Sequence, residues 1–279
     1  MTSTPTAPGW YPDPWRQAWW RWWDGASWTA YTDQWAAPAA PAPAAEEPQL
    51  RAGGIAFLGF LAGIALSIVF AVVLALAGYS ETDPAMLLGS SLGLLIGIGG
   101  SCVVAVRRKG TGSLADLGLV RPRWVDVGLG LGLGVASLIA VGFVAAAIEA
   151  INSDFVPGDR ADLGDPIKHG GALGIIVVYL IAVVGAPFFE ELYFRGLVQG
   201  TLTARWGVGV GIVVQALLFA CVHLSPQAGW GNVGVFAMIT CIGIGLGLIR
   251  HSSHRLPPGI FTHATYNAII TTILVARFT

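Results

Sequence analysis

Three short stretches near the C-terminus carry side chains that can do acid–base chemistry, and each lies in an apolar run. They are Glu190-Glu191-Leu-Tyr-Phe-Arg195, Phe219-Ala-Cys-Val-His223 and His263-Ala-Thr-Tyr-Asn267. A charged side chain at the centre of a bilayer helix costs about 2.5–3.5 kcal/mol on insertion scales. Adjacent glutamates add like-charge repulsion. A membrane fold bears that cost where the residues face a wet or protein-lined cavity. The three stretches therefore read as one intramembrane active site.

Their spacing suggests what each side chain does. Glu191 and Arg195 stand four apart, so on a helix they share a face and can pair. Glu190 lies about 100° further round and is the freer carboxylate. Two carboxylates side by side away from water favour holding a proton between them, which suits a base that takes a proton from water and later returns it. Pro187, with Gly185 nearby, is expected to break or loosen the helix just before the pair. Gln215, Phe219 and His223 recur every fourth residue along one stripe, which must face protein rather than lipid. His263 and Asn267 share another face, with Thr271 a turn further. Both can donate to an oxygen that becomes negative in a transition state. The plainer alternatives are a salt bridge at a helix end for Glu190, Glu191 and Arg195, and a solvent-facing helix-end histidine for His223. His169, His251 and His254 fall in stretches read as polar or basic loops.

The elements that must position these groups are membrane helices. The chain has 279 residues, 54% of them hydrophobic and 11% charged, with a mean hydropathy of +0.68. Soluble domains are nearer a quarter charged. The reading is an all-α polytopic bundle of about seven to eight transmembrane segments. Spans are predicted at 54–77, 86–106, 125–148, 172–190, 208–223, 233–249 and 260–276, with 187–206 ambiguous. The 38 glycines suit close helix packing in lipid. Basic residues gather in alternate loops: Arg107, Arg108, Lys109, Arg121 and Arg123; Arg195 and Arg205; Arg250 and Arg255. The other loops carry Glu81, Asp83, Asp154, Asp159, Asp162 and Asp165. That bias places the basic loops, and the N-terminus with them, in the cytoplasm of a multi-pass cell-membrane protein. A net charge of −1 offers nothing to nucleic acid. Cys102, Cys221 and Cys241 lack the spacing of a disulfide framework or zinc-thiolate site.

Residues 1–35 form a separate Trp-rich unit, read as a small β module. Asp24-Gly25 between aromatic runs predicts a hairpin with a tight primed turn. Either its tryptophans pack on one another, or they present an aromatic surface to a protein partner. A Pro/Ala linker at 36–52 tethers the module to the membrane domain, 53–279, whose core is 172–276. The pattern Gly9-Trp-Tyr-Pro-Asp-Pro14 with Trp22-Trp-Asp-Gly25 resembles a short module of unknown function found at the N-terminus of many actinobacterial membrane proteins.

EExxxR, FxxxH and HxxxN in consecutive membrane segments resemble the CAAX-protease and bacteriocin-processing (CPBP) family of intramembrane peptidases. The resemblance covers about 85–276, including Leu114–Trp124 as the loop before the core. It implies an endopeptidase acting on membrane-associated proteins or peptides. Glu190 would activate water beside Glu191, with Arg195 orienting the pair. His223 would complete the site, and His263 with Asn267 would bind the oxyanion. A metal-free glutamate mechanism is preferred because HExxH is absent. Zinc, held by Glu190, His223 and His263, is the alternative cofactor. Catalytically silent immunity or scaffold proteins occur in the same family and form the rival reading. A proton-coupled transporter is disfavoured by the lack of repeat symmetry. One tension stands in this reading. The simplest topology puts Glu190 and His263 near one membrane face and His223 near the other, whereas one site needs them together.

Overall fold

The computed structural model describes residues 7–33, 52–151, 161–225 and 231–278. It divides the chain into two compact units, within 1–47 and within 48–279. The expected linker lies outside the described residues apart from Ala52, as do Asp154 and Asp159.

The N-terminal unit is an antiparallel meander of β1 (Gly9–Pro12), β2 (Trp20–Trp23) and β3 (Trp28–Asp33). The β2–β3 hairpin forms where expected, but the connection is longer than a two-residue primed turn. Trp23 pairs with Trp28 across residues 24–27. Only Gly25 takes positive φ, at 100°. Asp24 closes the loop instead, its carboxylate accepting from the N–H groups of Ala26 at 2.8 Å and Ser27 at 2.7 Å. Trp10 packs edge-on against Trp22, and Trp28 against Trp23, Tyr11 and Trp15. Beneath them, Asp13 pairs with Arg21 Nε at 3.0 Å and accepts the backbone N–H groups of Trp15, Gln17 and Ala18. The Arg21 guanidinium, reinforced by those N–H groups, holds the Asp13 carboxyl at about 2.

The second unit is helical, as its composition requires. It begins with α1 (Gly53–Leu76), α2 (Pro84–Lys109) and α3 (Trp124–Ile151). Asp83 caps α2 by accepting from Ala85 N, with Pro84 in the first turn, and Arg107, Arg108 and Lys109 sit at its negative end. Gly59 and Gly63 of α1 approach Gly97 of α2, which meets the backbone of Gly63 directly, and Gly93 meets the backbone of Leu66 and Ser67. Side chains at those crossings would force the two helices apart.

Between α2 and α3, the 3₁₀ turn Leu114–Leu117 ends at Gly118 with φ 85°, and the chain then runs extended to Arg123. The Arg250 guanidinium packs where a Gly118 side chain would stand, and Leu256 N donates to Gly118 O at 2.8 Å. That loop is thereby fastened to the turn before the last helix.

Next come α4 (Ala161–Tyr179), a wide π-helical stretch Leu180–Gly185, α5 (Ala186–Glu190), a second π stretch Glu191–Val198 and α6 (Gln199–Trp206). The helix loosens around Gly185 and Pro187 as expected, but by widening into π turns rather than breaking, and it continues through the ambiguous 187–206. The stretch 161–170, read as a polar loop containing His169, is also helical up to a kink at Gly171. Gly207, with φ 85°, reverses the chain into α7 (Val208–Cys221), followed by α8 (Gly231–Ser253) and α9 (Pro257–Phe278).

Among the described residues, six helices are long and apolar enough to cross a membrane. The remaining predicted span is α7, a 14-residue apolar helix, shorter than the roughly 20 residues a crossing takes. The core joins Cys102, Ala105 and Val106 of α2 to Leu192, Phe194 and Leu197 of the second π stretch and to Phe219 of α7.

Candidate active site

The two glutamates fall at the junction of α5 and the second π stretch, and their environments differ. Glu191 is fully buried; its Oε1 lies 3.1 Å from Arg195 Nη1 and 3.0 Å from His263 Nδ1. Glu190 is partly exposed, and its Oε2 lies 3.9 Å from His263 Nε2. His263 thus stands between two carboxylates, one ring nitrogen towards each. Gly259, one turn earlier on α9, lets this happen: a Cβ there would stand 3.2 Å from Glu191 Oε2.

Arg195 is also buried, with its guanidinium carbon 4.2 Å above the Phe219 ring. Its pairing with Glu191 is by charge and proximity. Among the described residues, neither Arg195 Nε, Nη1 and Nη2 nor Glu191 Oε2 has a hydrogen-bond partner. Phe219 packs edge-on against His223, ring centroids 4.6 Å apart, and against His263 at 5.8 Å. One buried ring therefore touches the arginine and both histidines.

This contact removes the topological tension. The chain runs as far from Glu191 to Trp206 as it returns from Val208 to His223, about 20 Å each way at a helical rise. The α6–α7 hairpin therefore brings His223 back towards the level of Glu191. Its Nδ1 lies 2.7 Å from Phe219 O at the end of α7.

Asn267 follows His263 by one turn, and its Nδ2 donates to Ala182 O at 2.7 Å. The first π stretch explains why that carbonyl needs a donor. Ala186 N–H bonds back to Ile181 O, five residues away, so the next bond in that pattern would come from residue 187. Residue 187 is proline and has no N–H. Asn267 supplies the missing hydrogen bond and keeps a second amide hydrogen. Thr271, next on the same face, is buried as well.

Away from the carboxylates, Gln199 continues the stripe of Glu191 and Arg195, and its Nε2 donates to Gly247 O at 3.0 Å. Gln215 Nε2 donates to Gly243 O at 2.9 Å. The glycines of α8 thus admit two buried amides as well as close packing. Spacing pointed to Phe219, four residues before His223; the same signal, four residues after Arg195, could have found Gln199, which was missed. Nothing in the sequence marked Gly259 or the carbonyl of Ala182.

Residues 172–269 match the family model for type II CAAX prenyl endopeptidase Rce1-like proteins. Over that segment the chain is similar to Rce1-like proteins. The Rce1-like segment contains Glu190, Glu191, Arg195, His223, His263 and Asn267. The match agrees with the resemblance to the CPBP family and does not extend to the Trp-rich module. No curated protein and no solved structure matches the chain.

A zinc cage of Glu190, His223 and His263 does not fit this arrangement. Among the described residues, no three His, Cys, Asp or Glu side chains stand together closely enough to hold a metal ion. Glu191 and His263 are instead engaged with each other.

Proposed function

We propose that the Rce1-like segment is an intramembrane endopeptidase in which Glu190 activates water. The observation that carries this is the asymmetry of the pair: Glu191 is buried between Arg195 and His263, while Glu190 is partly exposed beside His263 Nε2. Polar atoms 3.9 Å apart are readily bridged by a water. A water there would lie within reach of both Glu190 and His263. Glu190 takes its proton as the water oxygen attacks the scissile carbonyl, then returns the proton to the leaving amine.

The other residues hold this geometry and stabilise charge. Arg195 balances Glu191, and Glu191 fixes His263 through Nδ1, so that the ring is locked before substrate arrives. With Nδ1 held by Glu191, His263 donates through its remaining Nε2–H, and Asn267 through its second amide hydrogen, to the negative oxygen of the tetrahedral intermediate. Phe219 holds His223 at the edge of the site. The donor arrangement favours this metal-free route over zinc, and the substrates are membrane-associated proteins or peptides.

The experiment compares wild type with Glu190→Gln at equal abundance in native membranes and maps protein and peptide termini by mass spectrometry. New termini that require Glu190 are expected, and they survive a zinc chelator. Identical termini in the two strains would move the reading to a silent scaffold or immunity protein. Loss on chelation with recovery by zinc would assign a metal.

A further inference from the structure

The extended loop before α3 and the turn before α9 enclose an open pocket of about 530 Å³, lined by Val120, Arg121, Pro122, Arg123 and Arg255. Three of the five lining residues are arginines, and none is acidic. Their charges are not equally committed. Arg255 donates from Nη1 to Asp126 Oδ1 at 2.8 Å and from Nη2 to Asp126 Oδ2 at 3.0 Å, with a further bond to Arg121 O at 3.0 Å. Asp126 is buried and also accepts from Arg123 N at 2.7 Å. One carboxylate therefore balances Arg255 and pins the loop, while Arg121 and Arg123 remain exposed on the rim. The pocket keeps a surplus of positive charge on a rigid frame.

Its surroundings are those of a membrane boundary. Immediately after Arg123 the apolar helix α3 begins with Trp124, 91% exposed, and Val125, 58% exposed, with Leu129 one turn on. Exposed tryptophan beside arginine at the end of an apolar helix is the arrangement found at the headgroup level. Arg107, Arg108 and Lys109 end α2, whose following loop leads into this one. A ligand filling the pocket would meet guanidinium groups at one end and exposed apolar surface at the other. A soluble anion uses only the first; an amphiphile uses both.

We infer that this pocket binds the phosphate of an anionic phospholipid, with Arg121 and Arg123 on the phosphate, Arg255 behind them, and the acyl chains along the start of α3. Basic pockets between membrane helices recognise such headgroups. The site is separate from the Glu190–His263 cluster and does not depend on that cluster being catalytic.

The full-length protein is placed in nanodiscs of mixed phosphatidylglycerol and phosphatidylcholine, released, and the retained lipids are counted by native mass spectrometry. Wild type should retain phosphatidylglycerol preferentially. The double variant Arg121→Gln/Arg123→Gln leaves Asp126–Arg255 intact and should lose about thirtyfold in that preference, given roughly 1 kcal/mol for each of the two arginines near a charged surface. Thermal unfolding of both proteins in neutral detergent controls for folding, and Val125→Asn, which touches only the acyl flank, gives a second and smaller loss. Equal retention by wild type and double variant overturns the proposal. So does displacement of the bound lipid by millimolar inorganic phosphate with no effect of Val125→Asn, which would make the ligand a free anion.

Discussion

Asp13–Arg21 in the Trp-rich module and Glu191–Arg195 in the membrane domain are both buried carboxylate–guanidinium pairs, yet they are finished differently. Arg21 is satisfied by Asp13, Gln17 and Thr29 O, and Asp13 takes three backbone N–H groups besides. Glu191 and Arg195 meet at 3.1 Å with most of their polar atoms lacking hydrogen-bond partners among the described residues. A saturated pair fastens a fold. An under-satisfied one raises the cost of disturbing either partner. Asp126–Arg255 shows that the membrane domain can also build a well-bonded pair, short of saturation at Arg255 Nε. The difference therefore follows the site and not the solvent around the domain.

Removing one partner should separate the two pairs most sharply. Arg195→Met leaves Glu191 buried without its counter-charge, a loss of about 3–5 kcal/mol. Thermal unfolding in detergent should show a large fall, and the double variant with Glu191→Leu should recover much of it. No recovery would mean that the guanidinium stabilises through Phe219 rather than through charge.

Asn267→Leu should cost less, about 1 kcal/mol, because the Ala182 carbonyl that loses its donor is only part-buried. It should lower cleavage by more than the stability change explains, because the helix before Glu190 loses its lock on Ala182. Asn267→Ser, which can still donate, would keep part of both. A smaller effect is expected for Gly259→Ala, whose Cβ would stand 3.2 Å from Glu191 Oε2. It should displace Glu191 by a few tenths of an ångström and reduce turnover with little change in unfolding temperature.

The saturated pair gives the mildest signature, confined to acid. Asp13 lies at about 2 when folded, against 3.8 for an unperturbed aspartate, so it binds its proton more readily once the module unfolds. The stability it contributes is present above about pH 4 and fades as pH falls towards 2. All but Trp124, Trp206 and Trp230 of the 11 tryptophans lie in residues 1–35, so tryptophan fluorescence reports the module. Its unfolding midpoint in denaturant should drop across that window and flatten in Asp13→Asn.

The membrane helices were legible in the sequence because apolar length is a local property, and the polar pairs because spacing by four is one too. Glu191–Arg195 needed only helical geometry to be paired. His263 could be placed on a face but not against Glu191, since that contact depends on Gly259 and on the crossing of two distant helices. The sequence suggested that the helix breaks or loosens near Pro187, but not that it would do so by widening its turns and drawing a hydrogen bond from Asn267. No local pattern announces a donor eighty residues away. The level of His223 stayed in tension with the motifs for a similar reason: treating every apolar run as a full crossing hid the short return of α7.

The central claim is that Glu190 turns a water into the nucleophile. Membranes containing wild-type or Glu190→Gln protein at equal abundance would be incubated in H₂¹⁸O, and newly formed C-termini analysed by mass spectrometry. The account predicts new carboxyl termini carrying one ¹⁸O in wild type and none in Glu190→Gln. Labelled termini in equal amount from both proteins, or none from either, would contradict it.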